Sequence, residues 1–286
     1  MESSTERQGK MKIGAFQFAG SGDMEYNFAK ISEGIRQAAG ADVRFLAFYE
    51  CALTGYPPLE VSMECIDFEA AEKYCAQVQM FAVKYRMYIA LGCAVRRGGR
   101  IFNSVRVFSP RGGELPAYDK RALWGWDREN FYEGGSDGIY DIDGLRIGIR
   151  ICFEVRFPEY FRELYRQGAD LGVVCFCDIS ETDNPDRYEL IKAHLRTRAV
   201  ENVMPVLAVN DAGPFQTAPT AFFDRDGKVF AECRRNETEL LVWEVEKLPD
   251  TFGQAGRKYV NGRLSLSGPH HVSPCIAQTE GYLFTI

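Results

Sequence analysis

The sequence predicts an α/β protein in which strands and helices are arranged in layers. Short apolar runs with strand character alternate with longer segments that repeat apolar residues at helical spacing. The same rhythm runs through both halves of the chain, although no repeat of fixed period is present. No low-complexity linker divides the 286 residues. We therefore expect one domain over residues 1–286, with its core at about 11–245.

The first half of the chain contains four predicted strands and two predicted helices. The first helix has apolar residues near helical spacing and ends at Gly40, a typical stop residue. The last strand of this half closes in a turn that contains proline and glycine. The predicted strands span 11–18, 43–50, 87–97 and 101–113, and the predicted helices span 27–40 and 65–87.

The second half repeats this order and ends in a different kind of segment. A hairpin is predicted around the turn Arg225-Asp226-Gly227. The predicted strands span 144–152, 170–177, 204–210 and 239–245, the helices 157–169 and 187–202, and the hairpin 220–233. Residues from about 249 to 286 are rich in glycine, proline and serine, so we expect an irregular tail there.

Composition excludes several classes of function. The net charge is −6 and no run of lysine and arginine occurs, which argues against nucleic acid or an anionic membrane as a partner. No apolar run is long enough to cross a bilayer, and the N-terminus lacks the apolar stretch of a signal peptide. Nine scattered cysteines do not form a disulfide framework. We expect a cytoplasmic protein.

Two residues at predicted strand ends are candidates for catalysis. Cys152 ends a strand and precedes a helix, so backbone N–H groups of the turn are available to stabilise a thiolate or an oxyanion. Glu50 ends an apolar strand, at the edge of the sheet where α/β proteins bind ligands. Burial would raise the pKa of that carboxylate and suit it to general-base catalysis. Taken alone, each residue also fits a purely structural role.

Lys120 is the third candidate. It lies among Tyr118, Trp124 and Trp126, and an ammonium fixed near a carbonyl oxygen stabilises the negative charge that develops during nucleophilic attack. Glu129, nine residues further on, is a candidate to hold that ammonium or the substrate. A surface lysine and a surface loop glutamate are the alternatives.

The order of these motifs resembles the nitrilase, or carbon–nitrogen hydrolase, superfamily. The resemblance rests on ALTGYPP after Glu50, YDK at 118–120, ENFYEG at 129–134 and ICFEVRFPE at 151–159. It implies a four-layer α-β-β-α sandwich, usually paired as a homodimer through the helices that follow Cys152 and Asp178. It also implies that Glu50 is the general base, Lys120 the oxyanion stabiliser and Cys152 the nucleophile, with Glu129 as the accessory carboxylate. No metal or organic cofactor is required.

Four further residues are candidates for binding the substrate. The backbone N–H of Phe153 would be a second oxyanion donor, and Tyr56 belongs to the turn after Glu50. Arg156 matches an arginine of amidase-like branches and would bind a substrate carboxylate or brace its loop. Asp178 follows a strand beside the expected site, and we expect it either to recognise a cationic substrate or to cap a helix.

Rival mechanisms have less support in the sequence. A cysteine–histidine mechanism would need His194, which lies in a predicted helix, or His270 or His271, which lie in the tail. No cluster has the ligand spacing of a metal site. We therefore predict an amidase acting on a small amide or N-carbamoyl compound through a thioester. A nitrilase, an amine acyltransferase and a non-catalytic binding protein of the same fold remain the alternatives.

Overall fold

The computed structural model describes residues 10–264 and contains six α-helices and fourteen strands within them. The helices are α1 (Met24–Gly40), α2 (Phe68–Tyr85), α3 (Trp126–Asn130), α4 (Pro158–Arg166), α5 (Pro185–Asn202) and α6 (Phe252–Arg263). The strands are β1 (Lys10–Gln17), β2 (Phe45–Phe48), β3 (Tyr88–Arg97), β4 (Arg100–Phe108), β5 (Glu114–Asp119), β6 (Ile139–Ile142), β7 (Leu145–Ile151), β8 (Leu171–Cys175), β9 (Ile179–Ser180), β10 (Val206–Val209), β11 (Phe215–Gln216), β12 (Ala221–Phe223), β13 (Val229–Glu232) and β14 (Glu239–Glu246).

Two six-stranded sheets form the centre of the molecule. The first has the order β14-β1-β2-β3-β4-β5 and the second the order β13-β12-β10-β8-β7-β6. In each sheet three neighbouring strands run parallel, and every strand outside these three pairs antiparallel with its neighbour. The parallel strands are buried apolar runs, as expected for strands covered on both faces.

The sheets stack face to face, and helices cover their outer faces. β1 contacts β10 and β2 contacts β8, and one apolar core contains residues of both sheets. Helices α1 and α2 pack on the first sheet, whereas α4 and α5 pack on the second through Phe161, Leu164 and Leu195. This arrangement confirms the predicted four-layer α-β-β-α sandwich.

The main differences from the predicted elements lie in the short and the terminal segments. The prediction that the chain is irregular from about residue 249 is wrong for 252–263, because α6 forms there behind a capping box of Thr251 and Gln254. The rest of that predicted tail, from residue 265 onward, lies outside the described residues. Strands β5 and β6 and the short helix α3 were also not predicted. No helix within residues 10–264 has the length and apolar character needed to cross a membrane.

Candidate active site

The three catalytic candidates follow the ends of strands in both sheets. Glu50 comes two residues after β2, Lys120 follows β5, and Cys152 follows β7. β2 and β7 are parallel members of their sheets, so Glu50 and Cys152 lie at carboxyl ends. Because the two sheets stack, residues from both reach one site.

Glu50 is fully buried and hydrogen-bonded through both carboxylate oxygens. Its Oε1 accepts from Lys120 Nζ at 2.7 Å and from Asn103 Nδ2 at 2.6 Å. Its Oε2 accepts from the backbone N–H of Cys177 at 2.9 Å. Burial raises the pKa of Glu50, and the charge of Lys120 opposes that rise. The carboxylate is thus held in one orientation with its proton affinity above the ordinary value.

The space around Glu50 depends on a glycine in β3. A Cβ atom built on Gly92 would lie 2.0 Å from the backbone oxygen of Tyr49 and 2.8 Å from Glu50 Cα. Only a residue without a side chain allows β3 to pass so close to the turn that carries Glu50. The backbone oxygen of Gly92 also accepts from Leu53 N at 3.2 Å.

Lys120 is buried between two carboxylates. Its Nζ donates to Glu50 Oε1 at 2.7 Å and to Asp127 Oδ2 at 2.6 Å. Burial alone would lower the pKa of Lys120, but Glu50, Cys152 and Asp127 together raise it well above its usual value. The side chain is therefore a fixed ammonium that cannot act as a base at neutral pH.

Asp127, and not Glu129, is the second carboxylate partner of Lys120. Asp127 is buried in α3, and its Oδ1 accepts from the hydroxyl of Tyr56 at 2.9 Å. Glu129 is exposed, so its predicted role in holding the ammonium is not supported. Residues two apart on a helix point about 200° apart, which is why only one of them can face Lys120. The sequence signal for Asp127 is that it is the first acidic residue after Lys120.

Cys152 opens a 3₁₀ turn, Cys152–Arg156, and has a φ angle of 45°. A left-handed conformation in a residue other than glycine costs on the order of 1 kcal/mol or more. Burial and the charge of Glu50 raise the pKa of the Cys152 thiol, although Lys120 opposes them. The resting thiol is therefore protonated at neutral pH, and attack on a substrate requires a base.

Glu154 braces the turn that holds Cys152. Its buried carboxylate accepts from Ile151 N at 2.7 Å, from Arg121 N at 2.8 Å and from the hydroxyl of Tyr118 at 2.8 Å. Tyr118 and Arg121 flank Lys120 in the sequence. One carboxylate thus fixes the nucleophile turn against the lysine segment.

Asp178 is not available to a cationic substrate. The carboxylate is buried and forms two 2.8 Å hydrogen bonds with Nε and Nη2 of Arg187. It also accepts from the hydroxyl of Thr217. This pairing argues against the predicted role of Asp178, because its charge is already neutralised by Arg187.

The other predicted binding residues lie on the same turn as Cys152. Phe153 is the second residue of the 3₁₀ turn, where backbone N–H groups lack acceptors within the helix. The guanidinium of Arg156 lies 5.2 Å from the centre of the Phe153 ring and forms no ion pair with residues 10–264. His194 lies in α5, as predicted, and His270 and His271 lie outside the described residues.

One group of side chains in the described part of the chain has the spacing of a metal site. Ligand atoms of Glu60, Cys177 and Asp211 lie within 4.8 Å of one another. Burial raises the pKa of both carboxyls, and each also accepts backbone hydrogen bonds, from Tyr56 N and from Gly213 N. Glu60, which is half-buried, and the buried Asp211 thus form a carboxyl pair.

Comparison with known proteins places the chain in a family. A sequence profile of the carbon–nitrogen hydrolases matches residues 12–248. An (R)-stereoselective amidase of a Pseudomonas species is 30% identical over 275 residues, which cover 92% of this chain and 96% of that protein. A 2-oxoglutaramate amidase of Bacillus subtilis is 28% identical over 243 residues, covering 80% and 88%.

A solved structure shares the fold. An amidase from a Nesterenkonia species superposes with a TM-score of 0.73 at 21% identity, covering 90% of this chain and 97% of that one. The chain belongs to the carbon–nitrogen hydrolase family. The predicted family and the predicted enzyme class, a hydrolase of non-peptide carbon–nitrogen bonds, are therefore confirmed.

Proposed function

We propose that this amidase hydrolyses small non-peptide amides with Cys152 as nucleophile, Glu50 as general base and Lys120 as the cation that stabilises the oxyanion. The observation that carries the proposal is the buried ammonium of Lys120, which contacts Glu50 and Asp127 beside the strained Cys152 turn. Because Lys120 is buried, its fixed charge stabilises a developing oxyanion far more than it would in solution.

The first half of the reaction forms a thioester. Glu50 takes the proton of the Cys152 thiol as the sulfur attacks the amide carbon. The carbonyl oxygen becomes an oxyanion, stabilised by Lys120 Nζ and the backbone N–H of Phe153. The tetrahedral intermediate collapses, the carbon–nitrogen bond breaks, and Glu50 gives its proton to the leaving nitrogen.

The second half releases the acid. Glu50 takes a proton from a water molecule that attacks the thioester carbon, and the same two donors stabilise the second oxyanion. The carbon–sulfur bond then breaks, and the proton on Glu50 returns to the sulfur. Glu50 is thus regenerated as a carboxylate at the end of each cycle.

Asp127 and Tyr56 position the cation. Lys120 would otherwise be drawn entirely to Glu50, whose negative charge is lost each time it takes a proton. Asp127 keeps a negative charge beside the ammonium throughout the cycle, and the Tyr56 hydroxyl orients the Asp127 carboxylate.

The names of relatives support an amide substrate. The two relatives described above are amidases, and a Nesterenkonia amidase variant carries acrylamide added to its active-site cysteine. Product analysis with a competing amine separates hydrolysis from acyl transfer.

The test is ammonia release from a panel of small amides. We expect activity in the wild type and its loss in Cys152→Ala. Cys65→Ala is the matched control, because Cys65 is an exposed free cysteine in a short turn before α2. Release by Cys152→Ala at the wild-type rate would refute the proposed nucleophile.

We further propose a cytoplasmic homodimer. Free thiols at all eight cysteines within residues 10–264 support a reducing compartment. The helices that follow Cys152 and Asp178 in sequence, α4 and α5, cover one outer face, and α5 carries the exposed apolar side chain of Leu190.

A further inference from the structure

The ion pair of Arg187 and Asp178 borders the proposed site. Asp178 lies three residues beyond β8, whose last residue, Cys175, is in register with Ile151 of the adjacent parallel strand. Cys177, next to Asp178, donates its backbone N–H to Glu50. Asp178 therefore lies at the same strand ends that hold the base and the nucleophile, and Arg187 of α5 pairs with it there.

The distance from this pair to Cys152 follows from the strand register. Adjacent strands lie about 4.8 Å apart and rise about 3.3 Å per residue, so extended backbone places the Cα atoms of Cys152 and Asp178 about 8 Å apart. Hydrogen bonding to Asp178 raises the pKa of Arg187, burial opposes this, and the ionised form of Cys152 would raise it further. The guanidinium is thus within electrostatic range of the thiol.

The two members of the pair differ in exposure. The Asp178 side chain is 5% exposed, whereas the Arg187 side chain is 41% exposed. Nε and Nη2 of Arg187 are bonded to Asp178, and within residues 10–264 no acceptor is bonded to its Nη1. The buried Asp178 carboxylate therefore holds the edge of the guanidinium that carries Nε and Nη2. The edge that carries Nη1 remains available to a ligand.

We propose that Arg187 binds a carboxylate on the acyl part of the substrate, so that the preferred substrates are monoamides of short dicarboxylic acids. The inference rests on the proposed function, since it takes Cys152 as the point of attack. It replaces the expectation of a cationic substrate, because the acidic residue is the buried member of the pair. A guanidinium held in a fixed plane suits carboxylate recognition through parallel N–H donors.

Matched amides measure this preference. The three amides are glutaramate, the isosteric amide with isopropyl in place of the carboxylate, and the amide whose chain ends in an ammonium group. We expect the wild-type kcat/KM for glutaramate to exceed that for either of the others by about tenfold or more. Equal or greater activity on the neutral or the cationic amide would overturn the inference.

The double variant Asp178→Asn/Arg187→Gln tests the proposed role of Arg187 in binding the substrate carboxylate. Both changes are made together because Arg187→Gln alone would leave a buried carboxylate unpaired. We expect the ratio of kcat/KM between glutaramate and its neutral isostere to fall about ten- to a hundredfold. Arg156→Gln is the comparison variant. An unchanged ratio in the double variant, or a fall confined to Arg156→Gln, would overturn the role of Arg187.

A binding experiment separates this inference from the proposed chemistry. We expect glutaramate to bind calorimetrically to Cys152→Ala protein more tightly than its neutral isostere, and to lose that advantage when Asp178→Asn/Arg187→Gln is added. Binding with this pattern but without hydrolysis by the wild type would refute the proposed function and leave the carboxylate site standing. No selective binding of glutaramate would overturn the inference whether or not the neutral amide is hydrolysed.

Discussion

Glu50 sets the pH at which the site can work. Its pKa is raised by burial, and only the unprotonated carboxylate can take the proton of Cys152. We therefore expect kcat/KM to fall as pH decreases, with the midpoint above the ordinary glutamate value of about 4.3. Asn103→Ser removes a donor to the ionised form, so the midpoint should move to higher pH. A pH profile of both proteins tests this, and an unshifted midpoint in the variant would contradict it.

Asp127 should matter far more than Glu129. Asp127→Asn leaves Lys120 with Glu50 as its one carboxylate partner, and we expect kcat/KM to fall about a hundredfold. Glu129→Gln alters an exposed carboxylate and should change activity less than about threefold. Steady-state kinetics on the same amide give both values. Equal losses in the two variants would refute the assignment.

Sequence alone could name Glu50, Lys120 and Cys152 as a group but could not choose between the two acids of α3. Motif order links the first three, whereas the choice between Asp127 and Glu129 depends on which helix face meets Lys120. Similarly, nothing near Asp178 in the sequence indicates that Arg187, in the first turn of α5, neutralises it. Such pairings are decided by tertiary contacts.

The carboxyl pair of Glu60 and Asp211 should make stability depend on pH. Both pKa values are raised in the folded state, so between the unfolded and folded values the native protein binds more protons. The free energy of unfolding therefore falls as pH rises through that window. Asp211→Asn keeps the acceptor for Gly213 N and removes one charge. We expect it to raise stability at neutral pH by about 1–2 kcal/mol and to flatten the pH dependence.

Urea denaturation between about pH 5 and pH 8 measures the effect of Asp211→Asn. A variant that is less stable than the wild type at neutral pH would contradict the prediction. Such a result would mean that the Asp211 charge is needed in the folded state.

At the scale of elements, the crossing of β3 over the Glu50 turn is tightly constrained by Gly92. Gly92→Ala places a methyl group on the Tyr49 backbone, so we expect a loss of about 2–3 kcal/mol and a marked fall in activity. Gly40→Ala is the matched control, because its Cβ meets nothing within 4 Å at the end of α1. Thermal and urea unfolding compare the two. Equal stability of the variants would show that β3 can shift without cost.

The long elements were predictable because their patterns are local. The parallel strands are continuous apolar runs, and helices α1 and α5 begin at the side-chain caps Asp23 and Asn184. Helix α6 was missed because Gly253, Gly256 and Gly262 lower its helix propensity. It is stabilised instead by tertiary bonds such as Gln254 to Asp226 at 2.8 Å. Two-residue strands such as β9 have no period to detect.

At the scale of the molecule, the outer face of α4 and α5 should form the dimer interface. Leu190 on α5 is 55% exposed, and Leu190→Glu is expected to shift a dimer to monomer. Leu248→Glu is the matched control, since Leu248 is 56% exposed and follows β14. Light scattering after size exclusion gives the mass of each protein. A wild-type monomer, or a monomer in both variants, would refute the proposed interface.

The layered α/β class was predictable from the alternation of strands and helices, but the stacking of two sheets was not. Nothing in the local pattern states that β1 approaches β10 or that β2 approaches β8. That expectation came from the family resemblance. The division of the site between the sheets, with Glu50 and Lys120 on one and Cys152 on the other, is a property of the stacking alone.

The pairing of β1 with β14 has a consequence for biosynthesis. β14 aligns with the whole of β1, from Lys10 opposite Glu246 to Gln17 opposite Glu239. β1 therefore leaves the ribosome well before its partner β14, which at roughly 5–20 residues per second follows on the order of ten seconds or longer afterwards. During that time one edge of β1 is open to pairing with other nascent chains. Translation that stops before residue 246 should yield a client for chaperones and proteases, not a smaller enzyme.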